Sequence, residues 1–202
     1  MVLWTCPQEW PNSTVFILAG GPSAAAENLD ALKGHRLIAI NSSIFTAPFA
    51  DFLIFGDSRW YFYHRPALDK MTARMVSTSA VPFGPHVVHM KKVIPPPGFT
   101  LARDSLVMER TTLQAAINLA IHLGASRVVT IGADMKLGPN GKTHHHPPHI
   151  WALRQDRLDQ AREQLRLIGK GAKRLGIEII NTSMDSAIDF WPKRPLKDCL
   201  DG

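Results

Sequence analysis

The sequence predicts an α/β fold, specifically a Rossmann-like three-layer sandwich with a mostly parallel central sheet. Short apolar runs alternate with segments of helical periodicity along the chain. The runs are apolar throughout instead of alternating with polar residues, which is typical of strands buried on both faces of a parallel sheet. Each run also ends at glycine or at short polar residues, the usual boundary of a buried strand.

The composition fits one compact globular domain spanning residues 1–202, since 45% of the residues are hydrophobic and 20% are charged. The net charge of +6 predicts attraction to anions such as nucleotides, phosphates or nucleic acid. No apolar run approaches the ~20 residues of a membrane span, so we expect no membrane partner. Cys6 and Cys199 form no metal or redox motif, and we expect a reducing cytoplasmic location. Homo-oligomerisation stays open.

The pattern assigns an order to the elements. Strands are predicted at 14–19, 36–40, 50–55, 74–78, 127–131 and 177–180. Helices are predicted at 24–34, at 60–70 with a break at Pro66, at 111–123 up to Gly124, and at 150–175 as one long helix or two shorter ones. Residues 82–102 and 136–148, which are rich in proline, glycine or polar residues, are predicted to be loops or irregular edge structure.

The first strand leads into the segment Gly20-Gly21-Pro22-Ser23, called the glycine turn below. Glycine allows the backbone to approach an anion closely, and a helix that starts at the turn would add partial positive charge. Pro22 suits the first turn of a helix, and the Ser23 hydroxyl can donate a further hydrogen bond. We therefore expect the glycine turn to bind phosphate, and a side chain at Gly20 or Gly21 to occupy the phosphate position.

Small polar clusters follow five predicted strands, and ligands of parallel sheets bind beyond the carboxyl ends of the strands. Their short side chains suit a sugar, a base or a phosphate, although each cluster is also an ordinary way to end a strand. The clusters are Gly20–Ser23, Asn41-Ser42-Ser43, Gly56-Asp57-Ser58, Gly132-Ala133-Asp134 and Asn181-Thr182-Ser183.

Several of these motifs resemble those of the bacterial sialyltransferases of glycosyltransferase family 42 and of hydroxymethylpterin pyrophosphokinase-like proteins. The resemblance rests on the glycine turn, Asn41, Thr111-Thr112, the helix 116–124 and Gly132-Ala133-Asp134. Small phage-encoded proteins of unassigned activity are the most similar, because they share a G-x-D-M segment, a G-x-x-H segment and a C-terminal A-x-D-x-x-P. These read Gly132–Met135, Gly141–His144 and Ala187–Pro192 in this chain.

The resemblance to the sialyltransferases implies a site for the nucleotide part of an activated donor and a histidine that acts as general base. The nucleotide contacts that it implies are Gly20, Gly21, Pro22, Ser23, Asn41, Arg110, Thr111 and Thr112. Ser42 joins this set as the neighbour of Asn41 at the same strand end.

The segment Thr143–His149, called the histidine segment, has three possible interpretations. Imidazole nitrogens could bind a metal ion together with Asp134 or Asp57, but consecutive histidines on an extended chain project in alternate directions. One histidine could be a general base, and we favour His144 or His146, which project to the same side. The third interpretation is an ordinary polar surface loop.

Charged residues supply the remaining candidates. Asp134 can orient a histidine or bind a sugar hydroxyl, and Asp57 can bind a hydroxyl, a metal ion or the acceptor. Arg59 and Arg110 can offset phosphate charge. The basic segment 154–174 indicates either a solvated helix face or a nucleic-acid contact.

Together these features favour a nucleotide-dependent, glycosyltransferase-like enzyme that moves a group from a nucleotide-activated donor to an acceptor hydroxyl. In this hypothesis Asp134, Asp57 and His144 or His146 are catalytic, and no cofactor is required. One alternative is magnesium-dependent diphosphate transfer from ATP, with the metal on Asp57 or Asp134. The other is a non-catalytic nucleotide- or nucleic-acid-binding phage protein that uses the segment 154–174.

Overall fold

A seven-stranded sheet forms the centre of the molecule, and all of its strand pairs are parallel. The computed structural model describes residues 2–94, 98–146 and 154–201. The main strands are β1 Ser13–Leu18, β2 Arg36–Ile40, β3 Phe52–Phe55, β4 Arg74–Ser77, β5 Val87–His89, β8 Ala125–Ile131 and β9 Glu178–Asn181. A separate parallel pair consists of β6 Lys91–Val93 and β7 Ser105–Val107.

Three α-helices accompany the sheet. They are α1 Ser58–Leu68, α2 Thr112–Leu123 and α3 Gln155–Arg174. Short 3-10 helices cover Pro22–Ala26, Leu29–Leu32, Asn41–Phe45, Pro139–Gly141 and Leu196–Cys199. The described residues contain no helix that is both long and apolar enough to span a membrane.

Successive side chains of each strand enter two different cores, which explains why the strands are apolar throughout. Val15 and Ile17 of β1 pack with α2, α3 and the N-terminal segment, whereas Phe16 and Leu18 pack with α1 and the 3-10 helices. Two apolar layers on one parallel sheet confirm the predicted three-layer α/β architecture.

Local chemistry explains the ends of α2 and the course of α3. The Thr111 side chain accepts a hydrogen bond from the backbone N–H of Leu113 and caps the start of α2. Gly124, with φ 103°, ends it in the left-handed conformation. The buried residues of α3 recur at helical spacing, namely Leu158, Ala161, Leu165, Ile168 and Ala172. The predicted segment 150–175 is thus one helix from Gln155 onward, and residues 150–153 lie outside the described residues.

Three predictions about local structure were wrong. The segment 24–34 forms two 3-10 turns instead of an α-helix, so the glycine turn opens no helix with a sizeable dipole. Helix α1 continues through Pro66, because Asp69 N donates to Arg65 O at 2.9 Å and closes the last turn around the proline. The segment 82–102 contributes β5 to the edge of the main sheet and β6 to the separate pair, whose partner β7 was also missed.

The strand order explains where a ligand can bind. The order is β5-β4-β3-β2-β1-β8-β9, so the chain extends from β1 in one direction and returns to add β8 on the other side of β1. A crevice opens at such a reversal, beyond the carboxyl ends of the two strands. Here the carboxyl ends of β1 and β8 carry the glycine turn and Gly132-Ala133-Asp134.

Candidate functional site at the carboxyl edge of the sheet

A pocket of about 230 Å³, called the carboxyl-edge pocket, lies at this reversal. It brings together most of the residues predicted from sequence. They are Gly20, Gly21, Asn41, Arg110, Thr111, Thr112, Asp134, His144 and His146. These residues come from five separate parts of the chain, and the parallel order of the strands brings the glycine turn, Asn41 and Asp134 together.

The amides of Gly21 and Ser23 in the glycine turn, and that of Ala24 after it, donate hydrogen bonds within the protein. Gly21 N donates to Gly132 O at 2.9 Å, and Ala24 N donates to Gly21 O at 3.3 Å. Ser23 N donates to Asp134 Oδ2 at 3.0 Å. The glycine turn is therefore tied to the end of β8 through the amides of Gly21 and Ser23.

The space beside Gly21 is also filled by protein. A Cβ atom on Gly21 would lie 2.2 Å from Asp134 Oδ2 and 2.4 Å from Gly132 O. Gly21 has an ordinary φ of −63°, so glycine is needed here for close approach and not for backbone conformation. A side chain at Gly21 would therefore meet the Asp134 carboxylate and the Gly132 carbonyl first, so its effect on folding must be separated from any effect on phosphate binding.

The histidine segment covers the glycine turn. His145 N donates to Gly20 O at 3.0 Å. The rings of His144 and His146 stack with their centroids 4.8 Å apart and both line the pocket. A Cβ atom on Gly20 would lie 3.1 Å from His144 Cδ2 and 3.2 Å from His146 Nε2, so Gly20 provides the space in which the two rings sit.

His145 does not join the stack of its two neighbours, although its ring makes an edge contact with that of His146, with the centroids 5.1 Å apart. Its Nε2 lies 3.2 Å from Ser43 Oγ, outside the set of pocket-lining residues. Burial lowers the pKa of His145 to about 4, and the nearby His146 adds to the effect. His145 is thus neutral at pH 7 and fixes the segment on the turn. His149 lies outside the described residues.

A second turn, Arg110-Thr111-Thr112, is called the Arg110 turn and lies at the N-terminus of α2. All three residues line the pocket. The first turn of a helix leaves backbone N–H groups without intrahelical partners and carries partial positive charge. The Arg110 guanidinium, 3.6 Å from Glu109 Oε1 and 38% exposed, adds a full charge. Arg157 of α3 lines the same pocket.

Backbone strain coincides with the pocket at two positions. Asn41 has a φ of 49° and Met135 a φ of 48°, both in the left-handed region that non-glycine residues rarely adopt. Both residues line the pocket. Strain of this kind concentrates at functional sites, and it supports the pocket as the candidate site.

Three predicted nucleotide contacts lie outside the carboxyl-edge pocket. Pro22 and Ser23 line a neighbouring cavity of about 430 Å³, on the other side of Asp134. The Ser23 hydroxyl lies 2.7 Å from the Ser183 hydroxyl. Ser42 is buried, and its Oγ accepts a hydrogen bond from Trp60 Nε1 at 2.9 Å. The hydroxyl groups of Ser23 and Ser42 therefore have partners within the protein.

Asp57 also lies outside the carboxyl-edge pocket and lines a separate cleft next to it. Its carboxylate accepts the Arg59 backbone N–H at 2.9 Å and caps α1. The Arg59 guanidinium hydrogen-bonds to the same carboxylate and is the main reason that the pKa of Asp57 is lowered. Arg59 therefore stabilises the ionised form of Asp57, and this carboxylate lines a different cavity from Asp134, His144 and His146.

The structure adds two cations that sequence reasoning did not place in the pocket. Arg157 was considered only as part of a basic helix, and Lys136 only as the start of a loop. Lys136 lines both the carboxyl-edge pocket and the cavity beside Ser23, and its Nζ is 2.7 Å from Asp185 Oδ2. The position of α3 across the mouth of the pocket is a tertiary feature, and no local pattern of the sequence indicates it.

The basic character of α3 is partly neutralised along its own surface. Arg162 lies 3.9 Å from Asp159, and Arg166 lies 3.5 Å from both Glu163 and Asp189. The cations of the last turn, Lys173 and Arg174, are where helix polarity favours positive charge. These pairs match a solvated helix face better than a continuous nucleic-acid-binding stripe.

Within 2–94, 98–146 and 154–201, no group of three or more His, Cys, Asp or Glu side chains is arranged to hold a metal ion. Comparisons of the whole chain with protein-family models, curated proteins and solved structures find no match. The function must therefore be argued from the pocket itself.

Proposed function

We propose that this protein is a nucleotide-dependent transferase of the glycosyltransferase-like kind, which moves a group from a nucleotide-activated donor to an acceptor hydroxyl. One observation carries the proposal. A single pocket at the strand-order reversal is lined by an arginine at a helix N-terminus, by Asp134, and by the stacked imidazoles of His144 and His146. Such a pocket combines groups that stabilise phosphate charge with groups that accept a proton.

The donor phosphate binds at the Arg110 turn in this proposal. Arg110 and Arg157 supply positive charge, and the first turn of α2 supplies backbone N–H donors. Asp134 lines the same pocket, and its carboxylate favours hydroxyl groups over phosphate. The nucleotide would therefore lie with its phosphate towards α2 and its uncharged hydroxyl groups towards Asp134.

The reaction needs one proton acceptor and one stabilised leaving group. The bond between the transferred carbon and the phosphate oxygen breaks, and its electron pair stays on the phosphate. The acceptor oxygen forms the new bond to that carbon, and its proton passes to His144 or His146. Arg110 and Arg157 stabilise the charge that develops on the departing phosphate.

The transferase hypothesis accounts for the geometry better than diphosphate transfer with Asp57 and Asp134 as metal ligands. Asp57 caps α1 and pairs with Arg59, whereas Asp134 accepts the Ser23 N–H. The two carboxylates line different cavities, so one ion could not use both without rearrangement of the strand ends.

A thermal-shift screen of nucleotides and nucleotide-sugars, with and without divalent metal, tests the proposal. At about 100 times Kd, a bound nucleotide should raise the Tm by at least about 5 °C. Arg110→Gln should remove about half of this shift or more, because tenfold weaker binding lowers the stabilisation from about 2.7 to about 1.4 kcal/mol. Arg174→Gln, at the far end of α3, should leave the shift unchanged. A set of nucleotides that gives no shift, or a shift equal in both variants, contradicts the proposal.

A further inference from the structure

A second and larger cavity adjoins the carboxyl-edge pocket. Its volume is about 890 Å³, and it shares Asn41, the Arg110 turn and Arg157 with the pocket. We call it the cationic cleft. Its remaining lining residues come from the start of α1, from β6, from the segment before α2 and from the residue before α3.

Positive charge dominates this cleft. Five cationic side chains line it against two carboxylates, those of Asp57 and Glu109. The cations are Arg59, Lys92, Arg110, Arg154 and Arg157. The Asp57 carboxylate forms an ion pair with Arg59 and caps the start of α1, and the Glu109 carboxylate lies beside the Arg110 guanidinium. The carboxylates therefore offset only the cations next to them.

Two of the cations have no anionic partner in the described parts of the chain. Arg154 pairs with Asp156 at 2.9 Å, but no ion pair is formed by Lys92 or Arg157. Arg157 lies at the boundary with the carboxyl-edge pocket, whereas Lys92 lines only the cleft. Lys92 and Arg157 together give the cleft positive charge that an anionic ligand would neutralise.

The lining also indicates the chemical class of that ligand. None of the described residues that line the cleft is aromatic, so the cleft lacks the aromatic platform on which nucleobases commonly stack. Apart from Met108 and Gly56, the other lining groups are short and polar, namely Asn41, Ser58, Thr111 and Thr112. Arginine and lysine with hydroxyl and amide groups suit a phosphate ester on a polyol or sugar.

We propose that the cationic cleft is the acceptor site and that the acceptor is a small phosphorylated polyol or sugar. This inference rests on the proposed transferase function, because the cleft opens into the pocket where the donor binds. The acceptor phosphate would lie near Lys92, and its reacting hydroxyl would point across Arg157 into the pocket. Neighbouring cavities that share one wall satisfy the requirement that donor and acceptor meet at a common point.

Calorimetric titration tests the cationic cleft and the carboxyl-edge pocket separately. The ligands are glycerol 3-phosphate for the cleft and, for the pocket, the nucleotide that most raises the Tm. Lys92→Gln should weaken glycerol 3-phosphate binding about tenfold and change nucleotide affinity less than about twofold. Lys91→Gln removes the same charge from the preceding position of β6, outside the cleft lining, and should change neither affinity.

The outcomes separate this inference from the proposed function. Nucleotide binding without any glycerol 3-phosphate binding, or with equal effects of both lysine variants, overturns the acceptor site and leaves the donor site intact. Lys92-dependent binding of glycerol 3-phosphate without nucleotide binding supports the cleft as a phosphate site and contradicts the transferase. An eight-residue thymidine oligonucleotide that binds the parent more than tenfold tighter than glycerol 3-phosphate, and loses this advantage in Lys92→Gln, assigns the cleft to nucleic acid and overturns the small acceptor.

Discussion

The glycine turn and the Arg110 turn line the same pocket, yet they are built differently. The glycine turn directs its amides to Gly132 O and Asp134, and the space beside its glycines holds Asp134, His144 and His146. The Arg110 turn starts a twelve-residue helix and exposes its guanidinium to both cavities. A glycine pair after a strand can therefore make room for other parts of the protein, here Asp134 and the two histidines, and in the proposed function the Arg110 turn binds the phosphate.

The largest effect is expected from removing the histidine that acts as general base, which packs on the glycine turn. His144→Ala or His146→Ala, whichever removes the general base, should lower turnover by ~10²–10⁴-fold. Donor affinity should change little, because the proton is transferred only in the transition state. Steady-state kinetics with single alanine variants at 144, 145, 146 and 149 provide the measurement. If all four keep turnover within about threefold of the parent, the base lies outside the histidine segment.

The steric role of Gly21 predicts a loss of stability instead of a selective loss of binding. Gly21→Val should cost more than about 3 kcal/mol, because its Cβ would overlap Asp134 and Gly132. The Tm should fall by about 6–12 °C. Gly84→Val is the matched control, since a Cβ at Gly84 meets nothing within 4 Å. A Gly21→Val protein with parental Tm and no nucleotide binding would restore the phosphate role to the glycine turn.

The Arg110 turn should show the opposite behaviour. Arg110→Gln should weaken nucleotide binding by about tenfold or more, since a charge-assisted contact to phosphate is lost. The Tm without ligand should stay within about 1 °C, because the side chain is partly exposed and pairs only weakly with Glu109. Calorimetry and thermal denaturation of one preparation give both values. A large fall in Tm would mean that Arg110 is structural.

The smallest effect concerns the attachment of the histidine segment to the glycine turn. The pKa of His145 is lowered to about 4 by burial, against ~6.5 in an unfolded chain. As the pH falls from about 6.5 to about 4, the unfolded state binds a proton that the folded state does not, so stability declines. His145→Asn keeps a polar side chain but does not titrate. Its Tm should therefore decrease less than that of the parent over this pH range, and parallel curves would contradict the role of His145.

Much of the fold follows from the sequence because the buried strands have a strong pattern. The runs at 36–40, 127–131 and 177–180 match β2, β8 and β9 within two residues at each end. Strands β5, β6 and β7 have three residues each, too few for periodicity to separate them from a loop. The prediction of a helix at 24–34 was wrong. The backbone amides of Gly21 and Ser23, just before that segment, make tertiary hydrogen bonds, and the chain continues in 3-10 turns.

The candidate site was predictable as a set of strand ends, but the roles of its parts were not. Parallel order alone brings Gly20, Asn41 and Asp134 to one edge. Asp134 fills the space beside Gly21 and accepts the Ser23 N–H, although it follows Ser23 by 111 residues in the sequence. The contribution of Arg157 depends on how α3 crosses the pocket. Neither fact leaves a local signal in the sequence.

The central claim is that donor phosphate binds the Arg110 turn, and a crystal structure with the nucleotide that most raises the Tm tests it most directly. If the donor phosphate binds the Arg110 turn, phosphate oxygens should lie within hydrogen-bond distance of the Arg110 guanidinium and the Thr112 backbone N–H. His144 and His146 should still pack on Gly20. A phosphate bound against Gly20 and Gly21, with Asp134 displaced and no contact to Arg110, would contradict it.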